Sequence, residues 1–298
     1  MWPSSISLVS GSPYGNVFET SCRHLLRHRI FNTAIYQRAR RSWIYDTYWR
    51  VADRRIIDDR EQENRFYRAL LSGFRPGDLI FDIDANIGCK TGTFLKLGAR
   101  VVSVEPDKNC QKLLKQQFCR YRLKRLPVTI VPKAVSDKES VERIWIHTPG
   151  SAKNALSEKW AAILRDDDKR FGQKLVFGEW KNIETISIDS LVAKYGLPYF
   201  IKIDVEGYEL NVLRGMSRPI PYLSFEVNLP EFRGEGLECI EVLRRLDTSG
   251  VFNHAEDCRG GMALRDWLPA AEYEAVLKTC NSSSIEVFWR TATGRETT

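Results

Sequence analysis

Short apolar runs alternate along this chain with segments whose apolar residues recur at helical spacing. DREQENRFYRALLSGF, Asp59 to Phe74, places Phe66, Leu70 and Phe74 four apart and predicts an amphipathic helix. RPGD is a turn, and LIFDID, Leu79 to Asp84, reads as a buried strand. TGTFLKLGA predicts the crossover helix, closed by Gly98, and VVSVEPD the second strand. DKNCQKLLKQQFCRYRL predicts a helix with Asp107 as its N-cap. VTIVPKAVS reads as a third strand and ERIWIHTP as a fourth, added one. Ser151 to Lys181 is polar and mixed, an insertion over the site rather than a sheet element. TISIDSLVAKYG predicts a short strand and a helix capped at Ser187 or Asp189. YFIKIDVEG and YLSFEVN read as strands, with the helix YELNVLRGM between them. GLECIEVLRRLDTSG is a helix stopped by Gly250, and SSIEVFWRT a closing strand.

Strand, acid-bearing tip and helix in repetition are the mark of an α/β fold, a doubly wound, mostly parallel sheet. Ligands of such sheets bind beyond the carboxyl ends of the strands. Four of those ends carry chemistry here: Asp82 to Gly88, Glu105, Asp204 to Gly207, and Glu226. One polar tip is as easily a strand terminator. Four at corresponding ends describe a site.

Composition narrows the class. The 298 residues are 43% hydrophobic and 28% charged, enough to bury one large core or two modest ones. No run reaches the roughly 18 to 20 apolar residues of a membrane span, and the first residues lack the pattern of a secretory signal. Seven cysteines without CxxC pairing fit reduced thiols in a cytoplasmic protein, not a disulfide framework or a zinc site. The net charge of +7 permits an anionic partner without requiring one. Much of it lies in residues 23–60, where arginines interleave with Trp43, Tyr45, Tyr48 and Trp49. This stretch reads as an amphipathic helical preface with solvated arginines. Docking to an anionic surface is the alternative, and no specific nucleic acid is expected. The organisation expected is a basic extension over 1–58, frayed in its first twenty residues, and one domain over 59–298.

The turn after the first strand selects the ligand. A phosphate cradle needs glycines and free backbone N–H groups. This turn carries Asp82, Asp84 and Asn86 instead, and acids there repel a pyrophosphate. An NAD-linked oxidoreductase is disfavoured because no GxGxxG follows the strand. Glu105 lies seventeen residues beyond Gly88, near the spacing at which a carboxylate takes ribose hydroxyls. A nucleoside with a free diol, a cationic tail and no phosphate meets these demands, and S-adenosylmethionine is such a molecule.

FDIDANIG, VVSVEPD, KAVSDKE, TISIDSL, IKIDVEGYELNVLRG and LSFEVN, in this order, resemble the FkbM-type methyltransferases, with IKIDVEGYE followed by SFE as the specific part. The resemblance runs from Pro76 to about Asn228, with weaker support to Arg290. It implies a seven-stranded class I, Rossmann-like methyltransferase fold, S-adenosyl-L-methionine as cofactor, and a hydroxyl on a sugar, glycan or small metabolite as acceptor. It also implies that Asp82, Asn86 and Gly88 form the cofactor turn, that Glu105 holds the ribose, and that Asp107 and Ser136 lie near the adenine. Asp204, Glu206 and Gly207 border the methyl group and acceptor, and Glu226 closes the acceptor side. The departure is Asp84, where the family pattern Asp-x-Gly-Ala-Asn-x-Gly has glycine. Asp84 either binds the methionyl ammonium or blocks its pocket, which leaves a catalytically weakened binding or scaffold protein as the alternative.

Transfer to a hydroxyl gains from a carboxylate base, for which Asp204 and Glu206 are the candidates. They share one face if the strand continues and separate if the chain curls at Val205 to Gly207. A divalent metal on Asp204, Glu206 and Glu226 is the alternative, and the metal-free site is favoured because no histidine joins them. His147 and His254 are expected to be structural, and Cys89 to be a small packing residue.

Overall fold

The computed structural model describes residues 54–119, 128–148, 151, 154–167 and 175–291. Of the basic extension expected over residues 1–58, residues 1–53 lie outside the described residues, and 54–58 open the first helix. No helix among the described residues is long and apolar enough to cross a membrane.

Helix α1 spans Arg54–Leu70 and leads into strand β1, Leu79–Ile83. All five residues of β1 are buried, because β2 (Arg100–Val104) and β7 (Phe200–Ile203) pair with it in parallel on either side. That enclosure explains an apolar run with no polar alternation. Helix α2, Cys89–Lys96, crosses from β1 to β2, and α3, Lys108–Gln117, leads on towards β3, Val128–Val131. Asp107 caps α3 as its sequence predicts, accepting from the backbone N–H groups of Asn109 and Cys110.

The third strand does not run through as expected. Pro132 lacks an N–H and ends the ladder of β3. The chain resumes as β4, Ala134–Val135, in a second sheet of order β4-β6-β5. Strand β5 covers Val141–Ile146 and β6 covers Glu179–Ile186, paired antiparallel. The short strand expected at TISI is therefore eight residues long. Its first residues, Glu179 to Lys181, correct the expectation that the insertion holds no sheet element. The insertion also contains helix α4, Glu158–Asp166, capped by Ser157.

Helix α5, Ile188–Tyr195, is capped by Ser187, while Asp189 accepts from the backbone of Ser217. After β7 come α6 (Glu209–Arg214), β8 (Tyr222–Asn228) and α7 (Arg233–Leu246). The last part of the chain contains more structure than its pattern predicts. Strand β9 (Val251–Ala255), β10 (Leu268–Pro269) and helix α8 (Ala270–Thr279) precede β11, Ser284–Arg290. The main sheet has the order β10-β9-β11-β8-β7-β1-β2-β3. The two-residue β10 makes it eight-stranded, one more than the seven expected, and Pro269 sits at that edge where a missing donor costs least. Strand β11 is an interior strand, antiparallel to both β8 and β9.

Each central strand feeds two cores. On β1, Leu79, Phe81 and Ile83 join one cluster and Ile80 the other; on β7, Ile201 and Ile203 oppose Phe200 in the same way. Tyr67 of α1 meets Phe94 of α2 at 5.2 Å and Phe200 at 5.8 Å, locking both helices to the sheet. The strand order reverses between β1 and β7, which opens a crevice at their carboxyl ends. Gly88 starts α2 at φ 81, and a Cβ there would lie 2.6 Å from Leu114 Cδ2 and from Phe118 Cε2.

Replacing Phe94 by alanine is expected to destabilise the fold by about 3 to 5 kcal/mol, read from urea unfolding. A loss below about 1 kcal/mol would mean that α2 does not depend on this aromatic junction. Gly88→Ala is expected to cost about 2 to 4 kcal/mol, from the left-handed backbone and the overlap together. Wild-type stability of that variant would refute the assignment of both.

Candidate functional site

Two turns meet at the crevice. The first leaves β1 with Asp84 at φ 61, Asn86 at φ 49 and Gly88 at φ 81. Asp84 thus keeps the left-handed backbone that its glycine-patterned position demands, a strain of about 1 to 2 kcal/mol for a residue with a Cβ. The turn is tied to β2 at two points. Ala85 N–H donates to Val104 O at 3.0 Å, and Asn86 N–H to Glu105 Oε2 at 2.7 Å. Asp107 N–H donates to the other Glu105 oxygen at 2.7 Å. Glu105 is buried, and burial raises its carboxyl to about 7 despite these two donors.

Asp84 and Glu105 act as a pair. Burial first, and then the charges of Glu105, Asp204 and Glu206, push Asp84 well above the carboxylate range. Asp84 is the partner that holds the proton, which it shares with Glu105. Asp82 faces away from that pair. It is buried, accepts from Thr91 Oγ1 at 2.5 Å, and is raised by burial to about 6. Thr91 also bonds Ser103 at 2.8 Å, so Asp82 joins β1, α2 and β2 and positions the turn.

The second turn leaves β7. The strand stops at Ile203, and the chain curls with Glu206 at φ 53 and Gly207 at φ 81. Asp204 and Glu206 are therefore separated rather than aligned on one face. Asp204 accepts from the buried Lys202 ammonium at 2.8 Å, and although burial opposes it, this partner keeps its carboxyl low. Glu206 turns to Trp160 of α4, whose Nε1–H donates to Oε2 at 3.0 Å. Burial, then Asp204 and Glu209, raise Glu206 to about 8. Gly207 cannot carry a side chain, since a Cβ would meet the Phe232 ring at 2.5 Å. Glu226 on β8 accepts from Ser284 Oγ at 2.5 Å and is raised well above its usual range by burial, Asp204 and Glu206. Asp84, Asn86 and Glu206 are the non-glycine residues with positive φ among the described residues, and all three lie in these turns.

Between the turns lies a narrow cleft lined by Asp84, Val104, Pro106, Lys133, Val135, Ile144, Asn154 and Val205 among others. It spans the tips of the first two strands and is closed by the small sheet and the insertion. Ser136, expected near the adenine, follows the cleft residue Val135 directly. It is fully buried, with its hydroxyl directed to Asp137 Oδ1 at 3.2 Å and shared with the Tyr208 hydroxyl at 3.4 Å, because the chain has already left for the second sheet. Asp107 spends its carboxylate capping α3 and reaches Glu105 through its backbone. Cys89 is exposed, not packed, since α2 turns its first residue outwards. His147 Nδ1 lies 3.0 Å from Val176 O, and His254 is buried on β9 beside Tyr273.

Two residues that pattern alone does not single out complete the arrangement. Lys202 sits inside the motif IKIDVEGYE, where a lysine flanked by isoleucines signals an ion pair in the core. Trp160 carries no local signal, since only the folded insertion brings it to Glu206.

The residues suit a cationic nucleoside. Asp84, Glu105, Asp204, Glu206 and Glu226 influence one another electrostatically, with Lys202 as the buried counter-charge. A ligand bearing sulfonium and ammonium groups would favour the ionised forms of these carboxyls, and a buried carboxyl at the second strand tip is a partner for a diol. The backbone at Asp84 follows the path a glycine would take, so the turn itself is preserved.

Residues 82–255 match the methyltransferase FkbM domain. The hexuronic acid methyltransferase AglP of Haloferax volcanii is 26% identical over 181 residues, covering 60% of this chain and 64% of that protein. The chain thus matches just under two thirds of that relative's length. Among solved structures, the precorrin-6Y C5,15-methyltransferase of Geobacter metallireducens has a TM-score of 0.38 and 8% identity, covering 78% of this chain and 86% of that one. A TehB-like S-adenosylmethionine-dependent methyltransferase of Corynebacterium glutamicum has a TM-score of 0.35 and 11% identity, covering 77% and 87%. With more than half of its length matched by that domain, the chain belongs to the FkbM methyltransferase family, whose cofactor is S-adenosylmethionine.

Proposed function

We propose that the protein is an S-adenosylmethionine-dependent O-methyltransferase whose acceptor is a hydroxyl of a sugar or glycan. The observation that carries this reading is Glu206, a carboxyl raised to about 8 in a strained turn beside the cofactor crevice. A hydroxyl is a weak nucleophile and gains from a base with a pKa near neutrality. The bound cofactor supplies an activated methyl group on its sulfonium. Trp160 holds Oε2 of Glu206, and Oε1 is the atom that takes the acceptor proton. Lys202 keeps Asp204 ionised, which adds negative charge beside the sulfonium position. Glu105 takes the ribose hydroxyls, and Asn86 and Gly88 shape the turn beneath the methionyl part. The likeness to a hexuronic acid methyltransferase supports a sugar as acceptor.

Asp84 favours a second reading, a binding protein of this fold with weakened catalysis, since its carboxyl occupies the turn and shares a proton with Glu105. Calorimetry with S-adenosylhomocysteine separates the two. The first reading expects micromolar binding by the wild type and a loss of about 10- to 100-fold in Glu105→Ala. It expects Asp84→Gly to change affinity by less than about tenfold. A much larger gain in Asp84→Gly supports the second reading, and no binding by the wild type rejects the first.

Glu206→Gln is expected to lower kcat by about 10² to 10⁴ with cofactor affinity little changed. In the wild type, kcat/KM for the acceptor should rise with pH up to about 8, as Glu206 ionises, and the variant should lose this limb. A pH profile identical in both proteins would remove Glu206 from the role. The same carboxyl is linked to stability with a definite sign. The folded state holds its proton up to about 8, whereas the ordinary value is 4.5. Its contribution is therefore full below 4.5 and declines as pH rises to about 8. Thermal unfolding should show wild type losing stability relative to Glu206→Gln across that interval.

A further inference from the structure

The insertion brings to the cleft a side chain that none of the steps above uses. Asn154 is only 7% exposed and forms part of the cleft wall. Its place is held from two sides. Ala155, the next residue, exchanges backbone hydrogen bonds of 2.8 and 3.1 Å with Trp145, and Asn154 Oδ1 accepts from the backbone N–H of His147 at 2.9 Å. A backbone N–H can only donate, so this bond settles which amide atom is the oxygen and leaves Nδ2 as a committed donor. Nδ2 is buried and meets no acceptor among the described residues. A buried donor without a partner is costly, and its retention in a cleft wall points to an acceptor that arrives with a ligand.

The surroundings identify the acceptor. Val104, Pro106, Val135 and Ile144 make much of the adjoining wall apolar, with Asp84 and Lys133 as its charged members. Val104 and Pro106 flank Glu105, so this is the nucleoside end of the crevice. Against the apolar stretch of that wall a hydroxyl-rich sugar would find few polar partners. A flat heteroaromatic base presents apolar faces and ring nitrogens that accept in its plane. We propose that Asn154 Nδ2 donates a hydrogen bond to a ring nitrogen of the cofactor's adenine, so that the insertion takes part in reading the base. This inference rests on the methyltransferase reading given above.

Calorimetry on the full chain tests it with S-adenosylhomocysteine and its 1-deaza, 3-deaza and 7-deaza forms, each lacking one ring nitrogen. Asn154→Asp keeps the acceptor for His147 and removes the donor; it is expected to bind the parent ligand about tenfold more weakly than wild type. One deaza ligand should bind wild type about tenfold more weakly than the parent does, yet show no such penalty with Asn154→Asp. A structural role for Asn154 would not produce that coupling. Equal affinity of wild type and variant for the parent ligand, or no coupling with any of the three, overturns the inference and leaves the methyltransferase reading standing. If Asn154→Asp does not fold, the wild-type series decides, and equal affinity for all three deaza ligands overturns the inference. No binding of the parent ligand by wild type rejects the reading beneath it, and the inference with it.

Discussion

The ion pair between Lys202 and Asp204 ties the end of β7 to the crevice. An ammonium buried at the end of a central strand is tolerable only beside a carboxylate 2.8 Å away. That carboxylate in turn lies close enough to Asp84, Glu206 and Glu226 to raise all three. Burial is the larger cause in each case, and the charge of Asp204 adds to it. Asp204 stays ionised, and the carboxyls around it hold their protons to higher pH. A cationic ligand favours the ionised forms of these carboxyls, which is why affinity and pH dependence should be coupled here.

Backbone conformation carries the second constraint. Parallel strands must hand over to helices at their carboxyl ends, and both turns at the crevice do so through left-handed residues. At Gly88 and Gly207 a side chain is excluded by the packed rings of Phe118 and Phe232 as well as by φ. At Asp84, Asn86 and Glu206 the side chain is kept and the strain accepted, and each of these groups faces the crevice or fastens its wall. Asp84 reads from the motif as a defect. In the fold its backbone is left-handed as a glycine's could be, and what it adds is a second carboxyl, beside Glu105, whose proton is held to higher pH by burial and by that neighbour.

The insertion has a role that its composition does not announce. It supplies Trp160 to Glu206, and Asn154 to the cleft wall. Both depend on the small second sheet, which exists because Pro132 ends β3 and sends the chain to pair elsewhere. A break in one ladder thus creates the wall against which the ligand end of the main sheet is closed.

The doubly wound sheet, its acid-tipped strands and the family were legible in the sequence, since buried parallel strands leave continuous apolar runs and their tips must be polar. So were the caps Asp107 and Ser187, whose side chains act within three residues of themselves. Strand β9, strand β10 and helix α8 were not, because antiparallel strands inserted between others draw their definition from partners distant in the chain. The positions of Ser136 and Cys89 followed neighbours rather than local pattern. Which carboxyl holds a proton, where Trp160 points and which atom of Asn154 is left unpartnered were decided only by tertiary structure. Burial and the distance between charges are properties of the folded chain, and no spacing along the sequence encodes them.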